Sequence, residues 1–393
     1  MPLRERTVMS QRLELVVRAG SGEAVRVLCH EYGVSPDTAY RWLRRHEDEG
    51  PSGLSDRSRR PHTSPSQTTA AMEALVVSLR GEHPSWGGRK LARRLRDLGH
   101  MGVPSPSTVT AILRRHQLLG GRAGQPRTFI RFEHEAPNAL WQMDFKGHVP
   151  CSVGRCHPLT VLDDHSRFSL VLRACGDERT GTVQEALTAA FREHGLPERI
   201  GVDNGAPWGS GPEHPYTPLG VWLLQLGVRV THSRPYHPQT LGKDERFHRT
   251  LKAEVLGVPL IDLDDGQRRF DRWRHVYNWE RPHEALGDEV PGSRYEPSPR
   301  RYPEVLPELA YRPGDLVRRV QAEGLTHFLG RIVSLPKAFR GHPVAFRPTA
   351  RDGRFTIHFA TVQFAEVDLT DASRDHVVGV RYVPEHPSDM SPV

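Results

Sequence analysis

Long apolar runs are missing from this chain. No stretch of about 18 apolar residues occurs, which excludes an ordinary membrane-spanning helix. The start, with Arg4, Glu5 and Arg6 leading into an amphipathic stretch, lacks the continuous apolar segment of a secretory signal. Cysteine is scarce: Cys29, Cys151, Cys156 and Cys175 are too few and too scattered for a disulfide framework. A reducing, cytoplasmic setting is expected. Cys151, Cys156 and His157 hint at zinc but lack a fourth ligand, so no zinc site is expected. Hydrophobic residues make up only 37% of 393, while Gly and Pro number 35 and 33, so several domains joined by loops are expected rather than one large core.

Charge is present and unevenly placed. Residues 1–130 hold 21 Lys and Arg against 12 Asp and Glu, and the remainder is close to neutral. A basic segment on a near-neutral body points to a polyanion, above all nucleic acid.

Helical punctuation organises that basic third. Leu13, Val16 and Val17 suggest one apolar stripe, and Ala24, Val25, Leu28 and Tyr32 a second before Gly33. Ser35 then precedes Pro36, an N-cap followed by the residue favoured at the first helical position. The helix they open carries Arg41, Arg44 and Arg45, the pattern of a helix-turn-helix recognition helix. The Pro, Ser, Gly and Arg-rich stretch 51–67 reads as a linker. The architecture recurs in 68–120. Ala71, Leu75, Val76 and Leu79 give one stripe. Leu91, Leu95 and Leu98 give another, set among Arg89, Lys90, Arg93, Arg94 and Arg96. Ser105-Pro106 opens a last helix ending in Arg114 and Arg115. Two helix-turn-helix domains, 1–50 and 68–120, are expected, with Arg41, Arg44, Arg45, Arg114 and Arg115 on DNA.

From about 138 to 290 the order is three strands, helix, strand, helix, strand, helix, a mixed α/β layer fold. Beyond a Pro-rich stretch, short β-prone runs across 312–372 suggest a small β-barrel or sandwich.

Three carboxylates in the α/β segment stand where chemistry is plausible. Asp144 interrupts the apolar strand Trp141-Gln-Met-Asp-Phe145. Asp203 follows Ile200-Gly-Val202 where a loop opens, and Glu245 lies in the first turn of a long helix. Singly, each has a plain structural reading, a turn or a helix-dipole residue. The helix adds an argument. At about 100° per residue, Glu245, Arg249 and Lys252 share one face, while Asp244, Phe247, Leu251 and Val255 lie opposite. Carboxylates converging from separate elements are what divalent-metal phosphodiester chemistry requires.

The stretch 141–282 resembles the catalytic core of the retroviral integrase superfamily in its bacterial insertion-sequence transposase branch. The matching pieces are Trp141-Gln-Met-Asp144, Leu162-Asp-Asp-His-Ser-Arg-Phe168, Val202-Asp-Asn-Gly205, Ser233-Arg-Pro-Tyr-His-Pro-Gln-Thr240, Gly242-Lys-Asp-Glu-Arg-Phe-His-Arg-Thr-Leu-Lys252 and Tyr277-Asn-Trp-Glu-Arg-Pro-His283. Leu241 and Asp244 depart from the residues common there. The resemblance implies an RNase H-like fold and an Asp-Asp-Glu triad on Asp144, Asp203 and Glu245. It implies Mg²⁺ or Mn²⁺, cleavage at element ends, and transfer of the 3′ hydroxyl into target DNA by a homo-oligomer. His237, Lys243, Arg249 and Lys252 are the expected DNA contacts of the core, and Asp163 and Asp164 are expected to be structural. The alternative is a catalytically silent DNA-binding regulator derived from such an enzyme.

Overall fold

Ser35 and Ser105 each open a helix, as their Ser-Pro pairs predict. Their hydroxyls accept from Thr38 N at 3.3 Å and Thr108 N at 3.2 Å. The computed structural model describes residues 7–58, 67–119, 133–209, 216–232, 242–370 and 377–383. It divides into two compact units, Met1–Gln67 and Thr68–Val393.

The first unit is a three-helix bundle: α1 (Val8–Gly20), α2 (Val25–Tyr32) and α3 (Pro36–Glu49). Its core is Leu15, Val16, Leu28, Cys29, Ala39 and Leu54. Two expectations change here. Leu13 and Val17 are not inward but 36% and 56% exposed. Both lie about 200° around the helix from Leu15, so one narrow buried stripe cannot hold all of them. The linker does not begin at 51, because Gly50–Leu54 forms a 3-10 turn that buries Leu54 in the bundle. Gly53 makes this possible, since a Cβ there would fall on the Arg45 carbonyl.

The second unit begins with another bundle: α4 (Ala70–Glu82), α5 (Gly88–Asp97) and α6 (Pro106–Arg115). Leu91, Leu95, Val109, Ile112 and Leu113 fill its core, whereas Leu98 is about half exposed. Rather than standing apart as its own domain, this bundle clusters with everything that follows.

Next comes a sheet of β1 (Trp141–Phe145), β2 (Val149–Pro150), β3 (Arg155–Asp163), β4 (Ser169–Cys175), β5 (Arg199–Val202) and β6 (Arg229–His232). The main order is β4-β3-β1-β5-β6, with β2 also on β3. The pairs β4-β3 and β3-β1 are antiparallel, and β1-β5 and β5-β6 are parallel. Alternation along the strands serves two layers. Trp141, Met143, Leu159 and Val161 pack with α7 (Thr180–His194) and α8 (Pro218–Gln225). Leu162 and Leu172 pack with Phe247, Leu251, Phe270, Trp273 and Tyr277 of α9 (Gly242–Glu254) and α10 (Leu263–Trp279). This is the expected RNase H-like arrangement.

Leu219 through Leu224 of α8 are all buried. A helix apolar on every side needs cover on every side. The C-terminal strands supply it, their core meeting Val221 and Leu224. The expected closed barrel is not formed among the described residues. Five strands make one open sheet: Leu316–Arg319, Pro343–Pro348, Arg354–Phe359, Val362–Asp368 and Arg381–Tyr382. Three make another: Leu325–Phe328, Arg331–Ser334 and Val377–Gly379. The turn at Gln321–Gly324 sends consecutive strands into different sheets, so no ladder closes. No described helix is long and apolar enough to cross a membrane.

Candidate active site

The parallel pairing of β1 with β5 builds the centre of the site. Gln142 pairs with Gly201. Two residues further along each strand direction stand Asp144 and Asp203, so the register sets them side by side where both strands end. Asp144 is partly exposed, and its carboxyl is pushed up to about 7, first by burial and then by the charge of Asp203. Asp203 Oδ1 accepts from Gly205 N at 2.9 Å, and its carbonyl meets His232 Nδ1 at 2.9 Å. The loop after it folds back through Trp208, which stacks on Phe145 at 5.6 Å.

Beneath Asp144 lies a small polar relay. Thr160 Oγ1 donates to the Asp144 carbonyl at 2.9 Å, and His248 Nε2 meets the same hydroxyl at 2.9 Å. With the hydroxyl proton spent on the carbonyl, His248 is the donor, which leaves Nδ1 bare at 3.9 Å from Asp144 Oδ2. Burial holds this histidine neutral, down to about 4. His248 was not singled out from sequence. Its signal was its place on the packed face of α9, one helical turn from Asp244.

Glu245 lies on the exposed face of α9 with Arg249 and Lys252, as its helical angle predicts. Asp244 is buried instead, with neither carboxylate oxygen hydrogen-bonded, and burial, Asp144 and Asp164 push its pKa well up. The structure thus brings Asp144 and Asp203 together, while Glu245 stands on the exposed face of α9. Among the described residues no three His, Cys, Asp or Glu side chains converge as metal ligands. A pair of adjacent carboxylates, one resisting ionisation, is nevertheless a donor set that a hard divalent cation satisfies.

The neighbouring acids are structural. Asp163 accepts from Asn138 N, Ser166 N and Ser166 Oγ at 2.6–2.7 Å. Asp164 accepts from His134 N at 2.9 Å and Gln142 Nε2 at 2.7 Å. It is also ion-paired with Lys243, whose ammonium donates to the Asp164 carbonyl at 3.1 Å. Lys243, expected on DNA, is therefore largely buried and anchors the start of α9. Burial lowers its pKa to about 8. Asn278 grips Ser169 N and O at 2.8 and 3.0 Å, fixing α10 to β4.

Of the other expected DNA contacts, Arg41 and Arg44 are exposed on α3, while Arg45 donates to the Ser55 carbonyl at 2.8 Å. Arg114 is exposed on α6, and Arg115 is paired with Glu73. His237 lies outside the described residues.

Known families match along the chain. One described as a helix-turn-helix domain matches residues 11–62, and a homeodomain-like domain matches 38–113. Two forms of the integrase core domain match 134–238 and 226–291. The C-terminal domain of the IS481 family transposases matches 315–375. An uncharacterized 39.2 kDa protein of insertion element IS476, from Xanthomonas euvesicatoria, is 25% identical over 242 residues, 60% of this chain and 68% of that protein. An uncharacterized 31.7 kDa protein of insertion element IS407, from Burkholderia multivorans, is 25% identical over 229 residues, 56% of this chain and 79% of that one. Among solved structures, the simian T-cell lymphotropic virus intasome in complex with PP2A regulatory subunit B56 gamma aligns with 75% of this chain and 96% of its own. The identity there is 15% and the TM-score 0.35.

Proposed function

We propose that the chain, which matches the integrase core domain and the C-terminal domain of the IS481 family transposases, is an insertion-sequence transposase that cuts DNA at its element's ends and joins the freed 3′ hydroxyl to target DNA. The observation that carries this reading is the side-by-side placement of Asp144 and Asp203 by the β1-β5 register. In this reading the two aspartates hold a divalent cation, magnesium or manganese, and Glu245 completes the set from α9. A cation held there would supply charge neutralisation at the scissile phosphate and would lower the pKa of the attacking oxygen.

The chain's own residues do the rest. Thr160 and His248 fix the backbone of Asp144, so its carboxylate is presented beside Asp203 in one orientation. Arg249 and Lys252, on the exposed face with Glu245, run beside the phosphate track. In the first step water displaces the 3′ oxygen at the element's end. In the second that 3′ hydroxyl displaces a 3′ oxygen of target DNA, one P–O bond replacing another each time. Helices α3 and α6 recognise the terminal repeats, and chains act as a homo-oligomer across paired ends.

The test uses the full-length chain, Mg²⁺ and a labelled duplex carrying the terminal sequence that flanks the gene. Asp144→Asn and Asp203→Asn should abolish cleavage and joining while leaving DNA binding intact. Strand transfer surviving in Asp144→Asn would remove the triad assignment. Site-specific binding by the native chain with no nicking would favour a DNA-binding regulator.

A further inference from the structure

Helix α5 has the composition of a DNA-contacting helix, with Arg89, Lys90, Arg93, Arg94 and Arg96 in ten residues. Its charges are nevertheless answered from within the chain, almost 200 residues away. Arg94 Nη2 meets Glu280 Oε2 at 2.5 Å, Arg93 Nη1 meets Glu289 Oε1 at 3.1 Å, and Arg89 Nη1 meets Glu284 Oε1 at 2.9 Å. The Arg94–Glu280 pair is the best sheltered of the three, its side chains 19% and 25% exposed. Lys90 is largely buried near Arg281 and Glu254. Only Arg96 is exposed without an ion pair among the described residues.

Glu254 ties this contact to the site. It is the last residue of α9, the helix that carries Glu245. Its carboxylate receives Ser85 Oγ from the α4–α5 turn, Arg281, and Trp273 Nε1 at 2.7 Å. Val276 of α10 packs against the bundle's own core. Polar and apolar contacts thus join one face of the bundle to α9 and α10. The opposite demand, an open face, is met by α6, where Ser107, Thr108, Ala111 and Arg114 are exposed.

We propose that α5 is an internal docking helix: it clamps the α4–α6 bundle to the far end of the catalytic helix through Glu254 and the glutamates at 280, 284 and 289, so that DNA seated on α6 reaches Asp144 and Asp203 in one fixed register. Glu254 and Glu280 are then positioning residues for cleavage. This rests on the transposase reading, because a register matters only if the core cuts.

A charge swap tests it in the full-length chain, with Arg94→Glu, Glu280→Arg and the double variant on the same terminal duplex. Each single variant should slow cleavage about tenfold and spread the cut over neighbouring positions, with DNA affinity unchanged. The double variant should restore both rate and position. Thermal denaturation without DNA should follow the same pattern, lowered in each single variant and restored in the double. If the reversals prevent folding, Arg94→Gln and Glu280→Gln repeat the test more mildly. Three results would overturn the proposal: Arg94→Glu losing DNA affinity where Glu280→Arg does not, single variants cutting like the native chain, or a double variant with no rescue. Failure of the transposase reading looks different, because the native chain would then cut nothing while the denaturation swap still decides the docking.

Discussion

The two helical bundles are built alike and spend their charge differently. Each has three short helices, a last helix opened by Ser-Pro, and one glycine where backbones nearly touch: Gly53 against the Arg45 carbonyl, Gly88 against Pro106 and Thr110. In the first bundle some arginines pair locally, as Arg12 does with Asp56 and Arg18 with Glu23 and Glu31, and others stay open, as Arg41 and Arg44 do on α3. In the second bundle the charged helix is α5 rather than the Ser-Pro helix, and its partners are glutamates of the region that matches the integrase core domain. A basic helix is therefore no guide to its partner until the counter-charges are located. A fold built for nucleic acid can present one helix outward and use another as an internal joint.

The sharpest break in the likeness is steric. Gly88→Val would drive a β-branched side chain into the Pro106 carbonyl and Thr110, prising α5 from α6. A loss of about 3 kcal/mol is expected. Gly53→Val should cost the first bundle a similar amount. The Gly88 change should also disturb α9 and α10, because its bundle is docked on them. Hydrogen exchange across α9 and α10 reads the difference. Exchange there equal to that of the native chain in Gly88→Val would mean that the docking transmits nothing.

A second difference is lysine. The first bundle has none in residues 1–58. In the second, burial and then Arg281 lower Lys90 to about 7. An unfolded lysine keeps its proton to about 10.4. Between those values the unfolded chain binds more protons, so stability rises with pH. From pH 7 to 9 the gain should be about 2 kcal/mol. Lys90→Met should flatten this slope and raise stability at pH 7, where the native ammonium is buried at a cost. Melting curves at the two pH values check it, and an unchanged slope in the variant would remove Lys90 as the cause.

What sequence made legible follows the range of the forces. Ser35-Pro36 and Ser105-Pro106 act within one turn, and both helices begin there. The angular argument on α9 rests on one helix, and it correctly set Asp244 inside and Glu245, Arg249 and Lys252 outside. The partners of α5 lie almost 200 residues downstream, beyond any local pattern, so the helix read simply as basic. Leu13 and Val17 stay outside the core because the stripe that α2 and α3 cover, around Leu15 and Val16, is narrower than the apolar face of α1. The pairing of Asp144 with Asp203 was legible only as a motif, since the register that aligns them joins strands some 60 residues apart. Lys243 is the reverse case: its motif neighbourhood suggested DNA, and its burial against Asp164 uses the charge internally.

DNA binding offers a finer comparison. Arg44 on α3 is exposed, whereas Arg93 is already shared between Asp97 and Glu289. Arg44→Ala should weaken binding to the terminal duplex and reduce the slope of affinity against salt by about 1. Arg93→Ala should leave that slope unchanged, because a cation neutralised within the chain releases no counterions from DNA. Anisotropy titrations at several salt concentrations separate the two. A matching fall in slope for Arg93→Ala would place α5 on DNA after all.

The smallest effect should be the one on which the bundles agree. Ser35 and Ser105 cap their helices in the same way, each accepting the backbone N–H three residues on at closely similar distances. Both hydroxyls also touch a threonine, at 2.9 Å for Thr38 and 3.0 Å for Thr108. Replacing either serine by alanine frees one N–H at a helix start and should cost about 1 kcal/mol. The costs should match because the caps are exposed and local, reaching neither the docking glutamates nor the carboxylates. Thermal denaturation of Ser35→Ala and Ser105→Ala measures both. A clearly larger loss at Ser105 would mean that its helix leans on the integrase-core region through more than α5, and the docking surface would then have to include the start of α6.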